Sequence, residues 1–136
     1  MHIKGLYAMN GTTNISFDTC AVIKLINNQY DLPSLGINVD ESNLIISVIV
    51  RMELLSKRNI TPKDLQDVNA FLGRVTVIPL NEEVEKKAVE LRRSTKLKLP
   101  DSIIAATSIV LDAILLTDDD HLLSLSLPGL RAQHIF

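Results

Sequence analysis

Acidic side chains follow two of the predicted strands of this sequence. Asp18 ends a short strand, and the run Asp118, Asp119 and Asp120 follows a second apolar strand at 113–116. Because the carboxyl ends of parallel strands meet at one edge of a sheet, we expect these two groups of carboxylates to converge there.

Two further acids belong to predicted helices. Glu53 interrupts an apolar helical run at 48–55, so part of its side chain is expected to face the sheet, where a carboxylate needs a partner. Asp101 opens a helix whose next residues, 103–106, are small and apolar enough to pack against the sheet edge. Clustered carboxylates repel one another, and a hard cation such as Mg²⁺ or Mn²⁺ relieves that repulsion. This combination predicts hydrolysis of phosphodiester bonds, in which cation charge stabilises the transition state.

Strands and helices alternate along the chain, which favours parallel pairing with crossover helices. Ser47 and Thr61-Pro62 are predicted helix starts, and Gly73 is a predicted helix stop. Helices are expected at about 82–94 and from Asp101 onward. The predicted fold class is α/β, a three-layer α/β/α sandwich with a central, mostly parallel sheet. Its strands are expected at 15–18, 44–46, 75–78, 113–116 and 132–135.

Composition indicates one domain. The chain has 136 residues and 46% hydrophobic content, enough for one sizeable core. We expect residues 1–14 to be a polar leader that could be disordered, and residues 15–136 to be the domain. The longest apolar stretch, 44–52, is too short to cross a bilayer, so no membrane segment is expected. The single cysteine, Cys20, has no internal partner, which fits a reducing cytoplasm.

The charge balance carries no general nucleic-acid signature. The net charge is -2, there is no Trp, and aromatic residues make up 4% of the chain. Any nucleic acid would therefore be held mainly through its phosphates, and bound divalent cations would reverse the local field of an acidic site.

Several motifs together resemble those of the PIN-domain family. Segment 17–22 resembles the hydrophobic-Asp-Thr opening of these domains, and segment 99–107 resembles their Pro-Asp-x-x-Ile-Ala-Ala helix start. Segment 115–122 is similar to their strand-Thr-x-Asp-x-x-hydrophobic motif, and Glu53 falls where the family carries a helical glutamate. The resemblance covers the chain from about Ile15 to Ile135.

The resemblance implies a specific activity and site. It implies an Mg²⁺- or Mn²⁺-dependent endoribonuclease, a VapC-type toxin that forms a homodimer, cleaves RNA and is neutralised by a cognate antitoxin. Thr117 would support the metal-binding acids by hydrogen bonding, and Asp118 or Asp120 could substitute for Asp119. The metal-binding acids that it implies are Asp18, Glu53, Asp101 and Asp119.

Each candidate residue also has an ordinary structural interpretation. Asp101 could simply be a helix N-cap, and the run 118–120 could be a solvated turn that caps the next helix. Glu53 could extend to solvent from the helix flank. Cys20 is interpreted as a small buried hydrophobe, because no histidine is placed to activate it.

The basic segment that precedes Asp101 has two interpretations. Arg92, Lys96 and Lys98 could be the solvated end of a helix, where cations are favourable. Their nearness to Asp101 also favours contacts with RNA phosphates.

Two other functions compete with the nuclease. A phosphoacceptor domain of receiver type also gathers acids at strand ends around Mg²⁺, but its pattern of an early acidic pair and a late lysine is missing here. A catalytically silent PIN-like binding module is the second alternative, and the presence of all four acids argues against it.

Overall fold

The computed structural model describes residues 13–136. Its strands are β1 (Thr13–Phe17), β2 (Ser42–Ser47), β3 (Thr76–Ile78), β4 (Ala113–Thr117) and β5 (Arg131–His134). They form one five-stranded sheet in the order β3-β2-β1-β4-β5, and every pairing is parallel. The predicted parallel α/β sheet is confirmed, and in the part of the chain described it is parallel throughout.

Helices cover both faces of this sheet. They are α1 (Thr19–Ile26), α2 (Val48–Leu55), α3 (Pro62–Leu72), α4 (Glu82–Ser94), α5 (Leu99–Val110) and α6 (Asp120–Ser124). Successive side chains of a strand point to opposite faces, and β1 shows the result. Phe17 packs edge-on against Phe71 of α3, with ring centroids 5.6 Å apart. Ser16 shares a hydrogen bond of 2.6 Å with Ser108 of α5 on the other face. The predicted α/β/α sandwich is confirmed.

Side-chain caps define the starts of several helices. Ser47 accepts a hydrogen bond from the N–H of Ile49 at 3.2 Å, and Thr61 accepts one from Asp64 at 3.1 Å, so both predicted caps are confirmed. Gly73 follows α3 as predicted. The limits predicted for α4 agree with the structure.

The chain enters the sheet earlier than predicted. β1 begins at Thr13 rather than Ile15, and Asn14 is buried inside it. Its side-chain amide donates to the carbonyl of Leu111 at 2.7 Å, and its amide oxygen accepts from Asn43 at 2.8 Å. These bonds explain how a polar residue that looked like part of the leader lies within a strand. The rest of the predicted leader, residues 1–12, lies outside the described residues.

The arrangement of strands determines where a site can form. β1 and β4 are neighbours, with Phe17 beside Leu116 in register, so the residues that follow them meet at the carboxyl edge.

Within residues 13–136, no helix combines the length and apolar character needed to cross a membrane.

Candidate active site

Asp18 is the buried centre of the carboxyl edge. It follows β1 and caps α1, since one carboxylate oxygen accepts from the N–H of Ala21 at 2.8 Å and the other accepts from Thr117. Burial raises the pKa of Asp18 above its usual value, although both hydrogen bonds oppose that rise. The negative charges of Asp118 and Asp119 raise this pKa further. Asp18 therefore lies among carboxylates and is poorly solvated.

Thr117 connects Asp18 to the acidic run. It is the last residue of β4 and is fully buried. Its hydroxyl donates to the Asp18 carboxylate and accepts from the backbone N–H of Asp119 at 2.9 Å. One hydroxyl thus fixes the acid that follows β1 and the turn that follows β4, which is the contact expected of a supporting residue.

The three consecutive aspartates have different surroundings. Asp118 forms an ion pair with Lys24 of α1, and Asp120 is exposed in the first turn of α6. Asp119 caps α6, because its Oδ1 accepts from the N–H groups of His121 at 2.8 Å and Leu122 at 3.4 Å. The capping interpretation of this turn therefore holds for Asp119.

Asp119 also links the other acids electrostatically. Its charge raises the pKa of Asp18, and it raises the pKa of Asp101 as well, where burial is the larger cause. Asp119 is therefore the member of the run that lies near both acids.

Asp101 lies in the first turn of α5 and does not cap it. The helix begins at Leu99, two residues before the predicted start, and Lys98 occupies the N-cap position. The N-cap interpretation of Asp101 is therefore wrong. Burial and the charges of Asp119 and Glu53 raise the pKa of Asp101. Among the described residues, its carboxylate has no hydrogen-bond or ion-pair partner, so no structural contact accounts for an acid at this place.

Glu53 lies at the rim of the site. It is exposed on α2, whose buried residues are Val50 and Leu54, so the expectation that Glu53 faces the sheet is wrong. Its Oε1 accepts a hydrogen bond of 2.6 Å from Thr19, the first residue of α1. The charge of Glu53 contributes to the raised pKa of Asp101, so the two acids are near each other.

The donor set suits a hard divalent cation. Within residues 13–136, no three or more acidic, His or Cys side chains lie close enough to hold a metal ion as they stand. Asp18, Glu53 and Asp119 each accept a hydrogen bond from a neighbouring group. Asp101 has no hydrogen-bond or ion-pair partner among the described residues, and Glu53 is exposed. Carboxylate oxygens suit Mg²⁺ or Mn²⁺, which prefer oxygen ligands.

The predicted basic residues lie in three different settings. Lys98 is close enough to Asp101 for its charge to oppose the rise in the Asp101 pKa. Arg92 donates to the carbonyl of Leu97 at 2.8 Å, which braces the turn between α4 and α5. Lys96 is exposed. The structure thus brings only Lys98 of the three beside the acids.

Three residues near the site were not predicted as part of it. Thr19 donates to Glu53, Lys24 pairs with Asp118, and the charge of His121 acts on Asp101. Lys24 could have been singled out from the sequence, because it is the single cation in the otherwise apolar run of α1.

Cys20 is exposed, so its interpretation as a buried hydrophobe is wrong. Desolvation and the charge of nearby Asp18 raise the pKa of the Cys20 thiol, which opposes thiolate formation.

The fold and the site together define a parallel α/β/α domain with four acids at the carboxyl edge of its sheet. The family model of the PIN domain matches residues 15–126. This protein belongs to the PIN-domain family.

Individual relatives agree with that family. The chain is 27% identical to a VapC ribonuclease of Pyrococcus furiosus over 112 residues, which span 78% of this chain and 74% of the relative. The VapBC2 structure from Rickettsia felis, bound to a promoter DNA fragment, superposes with a TM-score of 0.77 at 22% identity, covering 90% of this chain and 98% of that one. DNA-bound VapBC from Salmonella typhimurium gives 0.75 at 22% identity, covering 92% and 100%. These structures share the fold of this protein.

Proposed function

We propose that this protein is a metal-dependent endoribonuclease and the toxin of a toxin-antitoxin pair. The observation that carries the proposal is the convergence of Asp18, Asp101 and Asp119, with Glu53 at the rim, on one edge of a PIN fold. The relative named as a VapC ribonuclease and the VapBC complexes of the same fold support the assignment of substrate and partner.

Mg²⁺ or Mn²⁺ is the proposed cofactor, held by the four acids. When bound, the cation supplies positive charge for the phosphodiester and activates water for attack. The Asp18 carboxyl group is buried near the negative charges of Asp118 and Asp119, and both its burial and these charges raise its pKa. We propose that repulsion among these acids drives cation binding.

The remaining polar residues organise the acids and the substrate. Thr117 fixes the Asp18 carboxylate, and the N–H groups at the start of α6 fix Asp119. Lys98, beside Asp101, is the proposed contact for an RNA phosphate, and exposed Arg92 and Lys96 would extend that contact along the strand.

The partners follow from the same assignment. We propose RNA as the substrate, a cognate antitoxin protein as the inhibitor, and a homodimer as the working form. Similar structures include a toxin-antitoxin complex from Klebsiella pneumoniae and a member of the VapBC family of toxin-antitoxin systems from Mycobacterium tuberculosis, which supports an antitoxin partner.

The topology separates this protein from a receiver domain. Receiver domains share the flavodoxin-like strand order 2-1-3-4-5. The order here is β3-β2-β1-β4-β5, so β1 rather than β3 is central. A phosphoacceptor function therefore has no support from the fold. A silent binding module would share the fold but would show no metal-dependent cleavage.

The test is cleavage of a labelled, structured RNA by purified protein in Mg²⁺, in Mn²⁺ and in EDTA. Asp18→Asn removes a proposed ligand, and Asp40→Asn, in the exposed turn that leads into the amino end of β2 and so at the opposite edge of the sheet, is the matched control. We expect wild type and Asp40→Asn to cleave the RNA in Mg²⁺ or Mn²⁺ but not in EDTA, and Asp18→Asn to be inactive in all three. Cleavage that persists in EDTA and in Asp18→Asn would contradict the proposal.

The toxin role has a separate test in cells. Induced wild-type protein is expected to arrest growth, co-expression of the neighbouring open reading frame should relieve the arrest, and Asp18→Asn should be harmless. Normal growth at good expression of the wild type would contradict the toxin role.

A further inference from the structure

Lys24 forms an ion pair with Asp118 at the border of the acidic site. The two side chains are 30% and 20% exposed, so the pair is partly buried. An ion pair in this setting is screened less than one on an open surface. The sequence and the family motifs assign no role to Lys24.

Other contacts hold the Lys24 side chain in place. Its ammonium lies 5.1 Å from the ring centroid of Phe136, within the range of a cation–π contact. Phe136 packs edge-on against Tyr30 with centroids 6.3 Å apart, and the Tyr30 hydroxyl donates to the carbonyl of Ala21 at 2.6 Å. The cation is therefore fixed relative to α1, the helix that Asp18 caps.

This ion pair distinguishes the three consecutive aspartates. Asp118 is engaged by Lys24, and Asp120 is exposed on α6. Asp119 uses Oδ1 for the helix cap, while its other oxygen has no hydrogen bond or ion pair among the described residues. Of the three aspartates, Asp119 is the one whose charge acts on both Asp18 and Asp101 and that has no ion-pair partner among the described residues.

We propose that Lys24 is a positioning residue that withholds Asp118 from the metal ion, so that Asp119 is the ligand supplied by the acidic run. Without the lysine, the Asp118 carboxylate would be a competing oxygen ligand close to Asp18. The ion pair also cancels one negative charge, which sets how strongly the site attracts cations. This inference rests on the proposed function, because it requires that the site binds a divalent cation.

The test is a double-mutant cycle read by calorimetric titration with Mn²⁺ rather than by activity. Lys24→Met is expected to bind Mn²⁺ more tightly, on the order of three- to tenfold, because one carboxylate near the dication is no longer neutralised. Asp118→Asn is expected to bind it more weakly by a similar factor, because the lysine is then unpaired. In the Asp118→Asn background, Lys24→Met should tighten binding by a smaller factor than in wild type, because no competing carboxylate is left for the substitution to release.

Two controls separate positioning from structural damage. Lys24→Arg keeps the charge and should keep the wild-type affinity, and Lys24→Gln should reproduce the tighter binding of Lys24→Met. Thermal melting without metal verifies that each variant folds. Damage to the fold would weaken Mn²⁺ binding, whereas the proposal requires stronger binding.

Specific outcomes would overturn the inference. If Lys24→Met tightens Mn²⁺ binding by the same factor with and without Asp118, Lys24 acts only as a nearby charge and does not withhold that carboxylate. If Lys24→Met and Lys24→Gln fold but bind no more tightly than wild type, Lys24 does not withhold a competing carboxylate. Failure of the wild type to bind Mn²⁺ would overturn the proposed metal site itself. Failure of the Lys24 variants alone to bind Mn²⁺ more tightly would overturn this inference and leave the metal site in place.

Discussion

Thr117 donates a hydrogen bond to the buried carboxylate of Asp18, although the two residues are 99 positions apart in the sequence. The bond crosses from β4 to its neighbour β1 at the carboxyl edge of the sheet. The same hydroxyl accepts from the backbone of Asp119 at 2.9 Å. The position of two proposed metal ligands therefore depends on one hydroxyl group.

Thr117→Val is expected to impair both the site and the fold. The substitution keeps the shape but leaves the Asp119 N–H and an Asp18 oxygen without their partner, which costs about 1–3 kcal/mol of stability. The pKa of Asp18 should rise further because a hydrogen bond that lowers it is lost. The acid limb of the cleavage–pH profile should therefore move to higher pH. Thr117→Ser keeps the hydroxyl and should keep the acid limb at its wild-type pH. An acid limb that does not shift in Thr117→Val would show that this hydrogen bond does not lower the pKa of Asp18.

Asp18→Asn is expected to stabilise the metal-free protein while it removes activity. The folded state raises the pKa of Asp18, so the folded protein binds this proton more tightly than the unfolded chain does. Stability is therefore highest below the unfolded pKa and decreases as pH rises toward the folded pKa. At neutral pH the amide avoids that loss.

Thermal melting in EDTA across pH measures this effect. The melting temperature of Asp18→Asn should exceed that of the wild type at pH 7 and should depend less on pH above the unfolded aspartate pKa of about 4. Added Mn²⁺ should raise the melting temperature of the wild type but not that of Asp18→Asn. A variant less stable than wild type at pH 7 would show that the hydrogen bonds of Asp18 outweigh its burial.

Substitutions at Asp119 should separate its capping role from its charge. Asn is as good an N-cap as Asp, so Asp119→Asn should keep the stability of the protein and lose Mn²⁺ affinity. Asp119→Ala should lose both, with a stability cost of about 1 kcal/mol. Denaturant unfolding and metal titration of the two variants test this. Wild-type Mn²⁺ affinity in Asp119→Asn would assign Asp119 to capping only.

Lys98→Ala should weaken RNA binding more than Lys96→Ala, because only Lys98 lies beside an active-site acid. Binding is measured in the inactive Asp18→Asn background, with Lys86→Ala near the start of α4 as the control. Each lost phosphate contact should reduce the salt-dependence slope by about 0.7 for single-stranded RNA. Unchanged affinity and slope in Lys98→Ala would reject the contact.

Local patterns in the sequence were sufficient to predict most of the fold. The limits of α4 and the caps Ser47 and Thr61 depend on neighbouring residues, and the parallel sheet depends on the alternation of elements. The start of β1 could not be predicted in this way. Asn14 is placed by hydrogen bonds to Leu111 and Asn43, and such distant partners have no local signature.

The site shows the same division. The strand ends indicated that Asp18 and the acidic run would meet, because chain direction alone requires it. The orientation of Glu53 was predicted wrongly, since an apolar neighbourhood does not show which face of α2 is buried. The partner of Lys24 also depends on how α1 packs beside β4, which one sequence does not reveal.

Titration of Asp101→Asn with Mn²⁺, beside wild type and Asp40→Asn, tests the four-acid metal site most directly. Asp101 has no hydrogen-bond or ion-pair partner among the described residues, so the substitution should leave the fold intact and alter only the site. We expect wild type and Asp40→Asn to bind Mn²⁺ alike, and Asp101→Asn to bind it at least roughly 10- to 100-fold more weakly. Equal binding by Asp101→Asn and wild type would contradict a metal centre shared by these acids.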